Sequence, residues 1–232
     1  MSKPRYWLVV PAAGSGQRMQ ADCPKQYLRL NNRFIVDITL SRLLDNAAFD
    51  GCIVAISPDD QRWPDTEASK DSRIDTCTGG AERAQSVLAA LDGLSGRAGD
   101  DDWVLVHDAA RPCLHVDDLS RLLSDLRDHP VGGLLATPVA DTLKRTRPGS
   151  HEIEETVDRH DLWRAMTPQM FRFLALKQAL GSAIDSGCPV TDEASAMEFA
   201  GQNPCIVEGR PDNIKITVPA DLALAGFILK RN

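Results

Sequence analysis

Short unbroken apolar runs alternate with amphipathic stretches along this chain. The first run, Trp7-Leu8-Val9-Val10, places a strand over residues 5–10, and similar runs place strands over 51–57, 74–78, 103–106 and 131–139. Between them, residues 34–44, 82–94 and 116–126 repeat their apolar positions at helical spacing. Further on, 173–186 and 219–229 read as helices, Thr191 as the N-cap of another, and 205–208 and 214–217 as short strands. Residues 61–71 are polar and read as exposed loop. Strands that are continuously apolar, separated by helices, belong to a parallel sheet covered on both faces. The expectation is an α/β, Rossmann-like three-layer fold with a mostly parallel twisted sheet flanked by helices. In such sheets ligands gather at the carboxyl ends of the strands. The Gly14 loop and Asp108 each follow a strand, so they are expected on one rim.

Residues 140–161 break this rhythm. The segment ADTLKRTRPGSHEIEETVDRHD is charged and carries a Pro148-Gly149 turn between two Thr-containing extended stretches. It reads as a long β-hairpin leaving the body. A solvated hairpin is marginal alone, so it is expected to pack on a second subunit, with residues 1–232 otherwise forming one domain.

Composition narrows the classes of partner. With 26 Lys and Arg against 33 Asp and Glu, the net charge is −7, which disfavours a general nucleic-acid binder. No apolar run approaches the roughly 20 residues that span a bilayer, and no signal-peptide pattern precedes the first strand. The six cysteines form no Cys-x-x-Cys pair; scattered reduced thiols in a cytoplasmic protein are expected.

Four groups of residues could carry chemistry. In the first, Gly14-Ser15-Gly16-Gln17-Arg18, with Lys25 behind it, small residues and cations coincide after a buried strand. Backbone N–H groups there can approach an anion closely, and the cations suit a polyphosphate. The third glycine of a dinucleotide fingerprint is replaced by Met19, and the Gly-Lys-Ser/Thr of a kinase loop is missing. A tight turn with two surface cations is the plainer alternative. In the second, Gly79-Gly80 lets a flat ligand approach the backbone, with Ser86 one turn into the next helix. In the third, His107-Asp108-Ala-Ala-Arg111-Pro ends a buried strand. Asp108 there suits Mg²⁺ bridging to phosphates, or an ion pair with Arg111, while His107 reads as packed. The fourth gathers separated polar segments around Thr142, Arg159, Thr167 and Lys215. Asp192 and Glu193 read as first-turn helix acids that favour the macrodipole.

Taken in order, Pro11-Ala-Ala-Gly-Ser-Gly-Gln-Arg-Met19, Pro24-Lys-Gln-Tyr27, Gly79-Gly80, Val106-His-Asp-Ala-Ala-Arg-Pro112, Thr156-Val-Asp-Arg159, Thr191-Asp-Glu-Ala194 and Asp212-Asn-Ile-Lys215 resemble the 2-C-methyl-D-erythritol 4-phosphate cytidylyltransferases, from about residue 7 to residue 229. The opening loop marks only the wider nucleotidyltransferase superfamily; the His-Asp-Ala-Ala-Arg-Pro and Asp-Asn-Ile-Lys runs are more specific. The resemblance implies transfer of CMP from CTP to methylerythritol phosphate with release of pyrophosphate, on the non-mevalonate route to isoprenoid precursors. It implies Mg²⁺ on Asp108 and a homodimer with interlocking arms.

It also implies roles. Arg18 and Lys25 would steady the triphosphate and the charge developing at the α-phosphorus. Ala12, Ala13, Gly14 and Gly16, with Gly80 and Ser86, would hold the nucleotide. Arg159 and Lys215 would position the substrate phosphate, with Asp108, Arg111, Thr142 and Thr167 nearby, Arg159 and Thr142 reaching the neighbouring subunit's site. Ala81 stands where some members have an acidic residue, so only backbone contact is expected there. A cytidylyltransferase for another polyol phosphate such as ribitol 5-phosphate, a sugar-1-phosphate nucleotidyltransferase, and a nucleotide-sensing module are the alternatives. The last would have no need of the catalytic cations.

Overall fold

The computed structural model describes residues 4–14, 16, 19 and 23–231. Strand β1 (Tyr6–Pro11) leads into a short helical turn at Lys25–Tyr27, then the two-residue strands β2 (Arg29–Leu30) and β3 (Arg33–Phe34) and helix α1 (Ile35–Leu44). The chain continues through β4 (Gly51–Ile56), β5 (Ile74–Thr78), α2 (Arg83–Gly93), β6 (Trp103–Val106), α3 (Val116–Asp125) and β7 (Gly132–Pro138). Then follow β8 (Leu143–Thr146), β9 (Ile153–Val157), β10 (Trp163–Arg172), α4 (Phe173–Asp185), α5 (Glu193–Phe199), β11 (Cys205–Glu208) and α6 (Pro219–Leu229).

Among the described residues the main sheet has seven strands in the order β11-β7-β10-β6-β1-β4-β5. All run parallel except β10, which pairs antiparallel with β6 and β7. The continuous apolar runs have the expected cause. Leu8 and Val10 of β1 pack under α1 and α3, while Trp7 and Val9 pack under α2 and α4. Both faces of the sheet are therefore covered, giving the three layers expected.

The chain leaves β1 for β4 and β5 on one side and returns to β6 on the other. A crevice opens at such a reversal, and the Gly14 loop and Asp108 flank it. The arm is also present: β8 pairs antiparallel with β9, Leu143 opposite Val157, around Pro148-Gly149.

Three expectations need correction. Residues 214–217 form no strand; Ile216 is fully buried and its N–H donates to Ala110 O at 2.9 Å, so its apolar pattern reflects packing rather than pairing. The stretch 61–71 is more than exposed loop: it makes helical turns at Trp63–Asp65 and Ala68–Lys70 and buries Trp63, Thr66 and Ala68. The cap of α5 is Asp192, not Thr191; its carboxylate accepts from Ser195 N–H at 2.9 Å.

Candidate functional site

A cleft of about 460 Å³ lies at the reversal point. Its walls include Ala12, Ala13, Gly14, Gly16 and Lys25 from the first loop, Gly80 and Ser86 from the β5–α2 turn, and Asp108 and Lys215. A second cavity of about 260 Å³ shares Arg83, Asp108 and Lys215 and adds Arg111, Thr167 and Gln169. Asp108 and its partners thus stand between two compartments.

The first loop is tied down from beneath. Gln26, 4% exposed, donates from Nε2 to Ala12 O at 2.6 Å and to Gly14 O at 3.2 Å. The carbonyls are turned inward, which frees the opposite side of the loop for a ligand. Gly16 has φ +68°, and a Cβ there would lie 2.9 Å from Lys25 N, so only glycine suits the position. Lys25 Nζ donates to Ile216 O at 3.1 Å, joining the loop to the segment that carries Lys215. Arg18 lies outside the described residues.

At the β5–α2 turn, a Cβ on Gly79 would come within 2.5 Å of the Ala13 side chain, so glycine lets the two loops meet. Buried Ser86 accepts from Gly80 N–H at 3.1 Å. The N-terminus of α2 borders the same cleft, with the Glu82 carboxylate and the Gln85 side chain closing a capping box over its first turn.

The charge of the site is concentrated on Asp108. Its Oδ1 accepts from Arg83 Nε at 3.0 Å; its Oδ2 takes Lys215 Nζ at 2.9 Å and Arg111 Nε at 3.3 Å. Burial alone would raise its pKa, but Arg83, Lys215 and Arg111 outweigh burial and hold the carboxyl well below the usual carboxylate range. Arg111 also donates to Asn213 O at 2.7 Å. The Asp108–Arg111 ion pair left open by the sequence therefore exists, together with two further cations.

Thr167 is fixed from behind this cluster. The register of β10 against β7 shifts between Ala165 and Gln169, an irregularity that re-aims side chains. Thr167 Oγ1 accepts from Asp108 N–H at 3.0 Å and lies 3.1 Å from His107 Nδ1. His107 Nε2 lies 3.1 Å from Arg111 O, which can only accept, so the proton is assigned to Nε2 and Thr167 donates to Nδ1. Burial pushes the His107 pKa down to about 4, so the ring is neutral. His107 is packed, as its sequence position suggested.

Sequence reasoning missed two members of the site. Glu193 is not merely a first-turn helix acid: it is fully buried and bidentate with Arg83, at 2.6 and 3.0 Å. Arg83 links it to Asp108. Glu193 lies inside the Thr191-Asp-Glu-Ala194 run and Arg83 between Gly80 and Ser86, but no spacing rule connects positions 110 residues apart. Conversely, Thr142 and Arg159 are not brought to either cavity within this chain. Both are exposed on the arm, and Arg159 Nη1 donates to Ala140 O.

Among the described residues no cluster of three or more His, Cys, Asp or Glu could hold an ion. Asp108 offers one carboxylate with lone-pair capacity left on Oδ1. With Arg83, Arg111 and Lys215 already on that carboxylate, an Mg²⁺ there would have to be held chiefly by substrate phosphates, with Asp108 contributing at most one oxygen.

The family described as "IspD: 2-C-methyl-D-erythritol 4-phosphate cytidylyltransferase" matches residues 6–231. The 2-C-methyl-D-erythritol 4-phosphate cytidylyltransferase of Ectopseudomonas mendocina is 55% identical over 220 residues, covering 94% of this chain and 93% of that protein. That of Serratia proteamaculans is 52% identical over 95% of this chain and 92% of that protein. The crystal structure of the Francisella tularensis enzyme superposes with a TM-score of 0.84 at 38% identity, covering 97% of this chain and 99% of that one.

Proposed function

The chain belongs to the 2-C-methyl-D-erythritol 4-phosphate cytidylyltransferase family, and from that premise we propose how its residues carry out the reaction. It transfers CMP from CTP to 2-C-methyl-D-erythritol 4-phosphate, releasing pyrophosphate, in the non-mevalonate route to isoprenoid precursors.

The observation that carries the assignment of parts is the pair of compartments sharing Asp108 and Lys215. The larger one, lined by the Gly14 loop, Lys25, Gly80 and Ser86, takes CTP. The smaller one, with Arg111 and Thr167, takes the polyol phosphate. Lys215 stands at the boundary, where the attacking phosphate oxygen must meet the α-phosphorus. The phosphate is already ionised near neutral pH, so no general base is required. The protein's task is to hold two anions together and offset the charge that develops. Lys25 and Arg18 serve the triphosphate; Lys215 and Arg111 serve the incoming phosphate. Mg²⁺ on Asp108 would supply further positive charge to the phosphates.

The reading extends to a cytoplasmic homodimer in which Arg159 and Thr142 of the arm complete the neighbour's phosphate site. Their absence from the walls of both cavities of their own chain supports this, as do the exposed apolar residues Ile153, towards the turn of the arm, and Leu162 and Trp163 at its base, which are 60, 37 and 39% exposed. All six cysteines are free thiols, which suits a reducing compartment.

Pyrophosphate release is the direct test. Release with CTP and methylerythritol phosphate, and little with ribitol 5-phosphate, is expected; no release with methylerythritol phosphate overturns the assignment. Mixing Lys25→Ala with Arg159→Ala, each inactive alone, should restore about a quarter of the activity through hybrid dimers by random-pairing statistics. Absence of recovery, with dimers present, removes the shared site.

A further inference from the structure

The charges around Asp108 do not divide evenly. Three cations, Arg83, Arg111 and Lys215, face two carboxylates, Asp108 and Glu193. Glu193 is fully enclosed and takes both Nη atoms of Arg83. That leaves Arg83 Nε for Asp108 Oδ1, while Oδ2 is shared by Arg111 and Lys215. A buried carboxylate stripped of one cation draws harder on those that remain. Lys215 is the more exposed of those two, its side chain 36% accessible against 12% for Arg111. Already on Oδ2 at 2.9 Å, it is the cation that Asp108 could draw away from the cleft, and also the one offered to the substrate phosphate.

We propose that Arg83 is a positioning residue for the polyol phosphate: clamped by Glu193, it satisfies one oxygen of Asp108 and so limits the pull of that carboxylate on Lys215, whose ammonium sits on the other oxygen at 2.9 Å and must turn its remaining donors to the substrate. The clamp explains a buried ion pair that would otherwise be costly to keep. It also explains why arginine is required: its planar fork serves Glu193 through two nitrogens while the third reaches Asp108. A lysine at this position could neutralise only one of the two carboxylates at close range. This inference rests on the assignment of Lys215 to the substrate phosphate.

The test compares Michaelis constants for the two substrates in the full-length enzyme. Arg83→Gln strands Glu193, so Arg83→Gln with Glu193→Gln is measured beside it as the variant that removes the whole buried pair. In the folded double variant the KM for methylerythritol phosphate should rise about tenfold or more, as for loss of one charge-assisted contact. The KM for CTP should stay within about threefold: Arg83 and Lys215 border both compartments, but the nucleotide is held mainly by the Gly14 loop, Lys25, Gly80 and Ser86, none of which pairs with Arg83. Arg83→Lys should show the same selective rise. Equal changes in both constants, or a lowered melting temperature with neither constant changed, would overturn the proposal. So would full recovery of KM by Arg83→Lys, which would show that charge alone suffices. An inactive wild-type enzyme would instead count against the functional assignment itself, so the two failures are distinguishable.

Discussion

Arg83 at the sheet rim and Arg145 on the arm each face a carboxylate distant in sequence, yet they do different things. Arg83 meets Glu193, which is fully buried, and Asp108, which is nearly so; the pair is backed by α2, α5 and the end of β6. Arg145 meets Glu155 across the β8–β9 hairpin, with side chains 59 and 50% exposed, and Arg147 meets Glu152 in the same way. Exposed pairs are screened by water and cost side-chain entropy, so they register a hairpin weakly. Enclosed pairs cannot be resolvated, so they fix geometry strongly and are costly to break. The rim uses its charges to hold a site ready. The arm's charges keep the hairpin soluble, and its energy must come from whatever it packs on.

The contrast can be broken or sharpened by measurement. The largest effect is expected at Lys25, where the rim's charge meets the ligand: Lys25→Ala should lower kcat by about 10²–10³, as for loss of one transition-state donor, while the melting temperature moves little. Near-normal turnover would remove the rim's catalytic role. Next, Glu193→Ala leaves the Arg83 guanidinium with Asp108 alone and opens a cavity where the buried carboxylate stood, which should cost about 2–4 kcal/mol in denaturant unfolding; a loss below about 1 kcal/mol would make the rim pair no different from the arm's.

Third, His107 is held neutral, with its pKa lowered to about 4 from 6.5. The unfolded chain therefore takes up a proton that the folded chain refuses. Stability should fall as pH drops from about 6.5 towards about 4, by about 3 kcal/mol in all from this group. The fall should be smaller in His107→Gln, and an equal fall in both would show that the ring is not the titrating group. The smallest effect is at the arm: Arg145→Ala should change unfolding free energy by less than about 1 kcal/mol and less still in high salt.

How much of this could be read from residues alone depended on the range of the interaction. Leu8, Val9 and Val10 announce a two-faced buried strand because every neighbour in the run is apolar, and β4 and β6 do the same. The carboxyl-end rule then put the Gly14 loop and Asp108 together correctly. Ile214 and Ile216 misled, because alternation arises from any extended segment with one buried side; a lone backbone bond to Ala110 produces it as well as a sheet does. Trp63 and Ala68 were hidden by polar neighbours that face solvent. Glu193 looked like an ordinary acid at a helix start and Arg83 gave no signal of its own, since a buried ion pair has no local pattern. The roles of Thr142 and Arg159 came from family resemblance, as neither touches the cavities of its own chain.

The hydrogen bond from Lys25 to Ile216 O has a consequence for biosynthesis. It joins positions 191 residues apart, and the cluster next to it draws on α2, β6 and the segment after β11. Chains emerge from the ribosome at about 5–20 residues per second, N-terminal part first. The nucleotide loop thus leaves the exit tunnel long before the lysine that completes the second compartment. A nascent chain halted after β10 can present glycines and Lys25 but not Lys215. Competence should arrive late in translation, close to the moment when α6 docks.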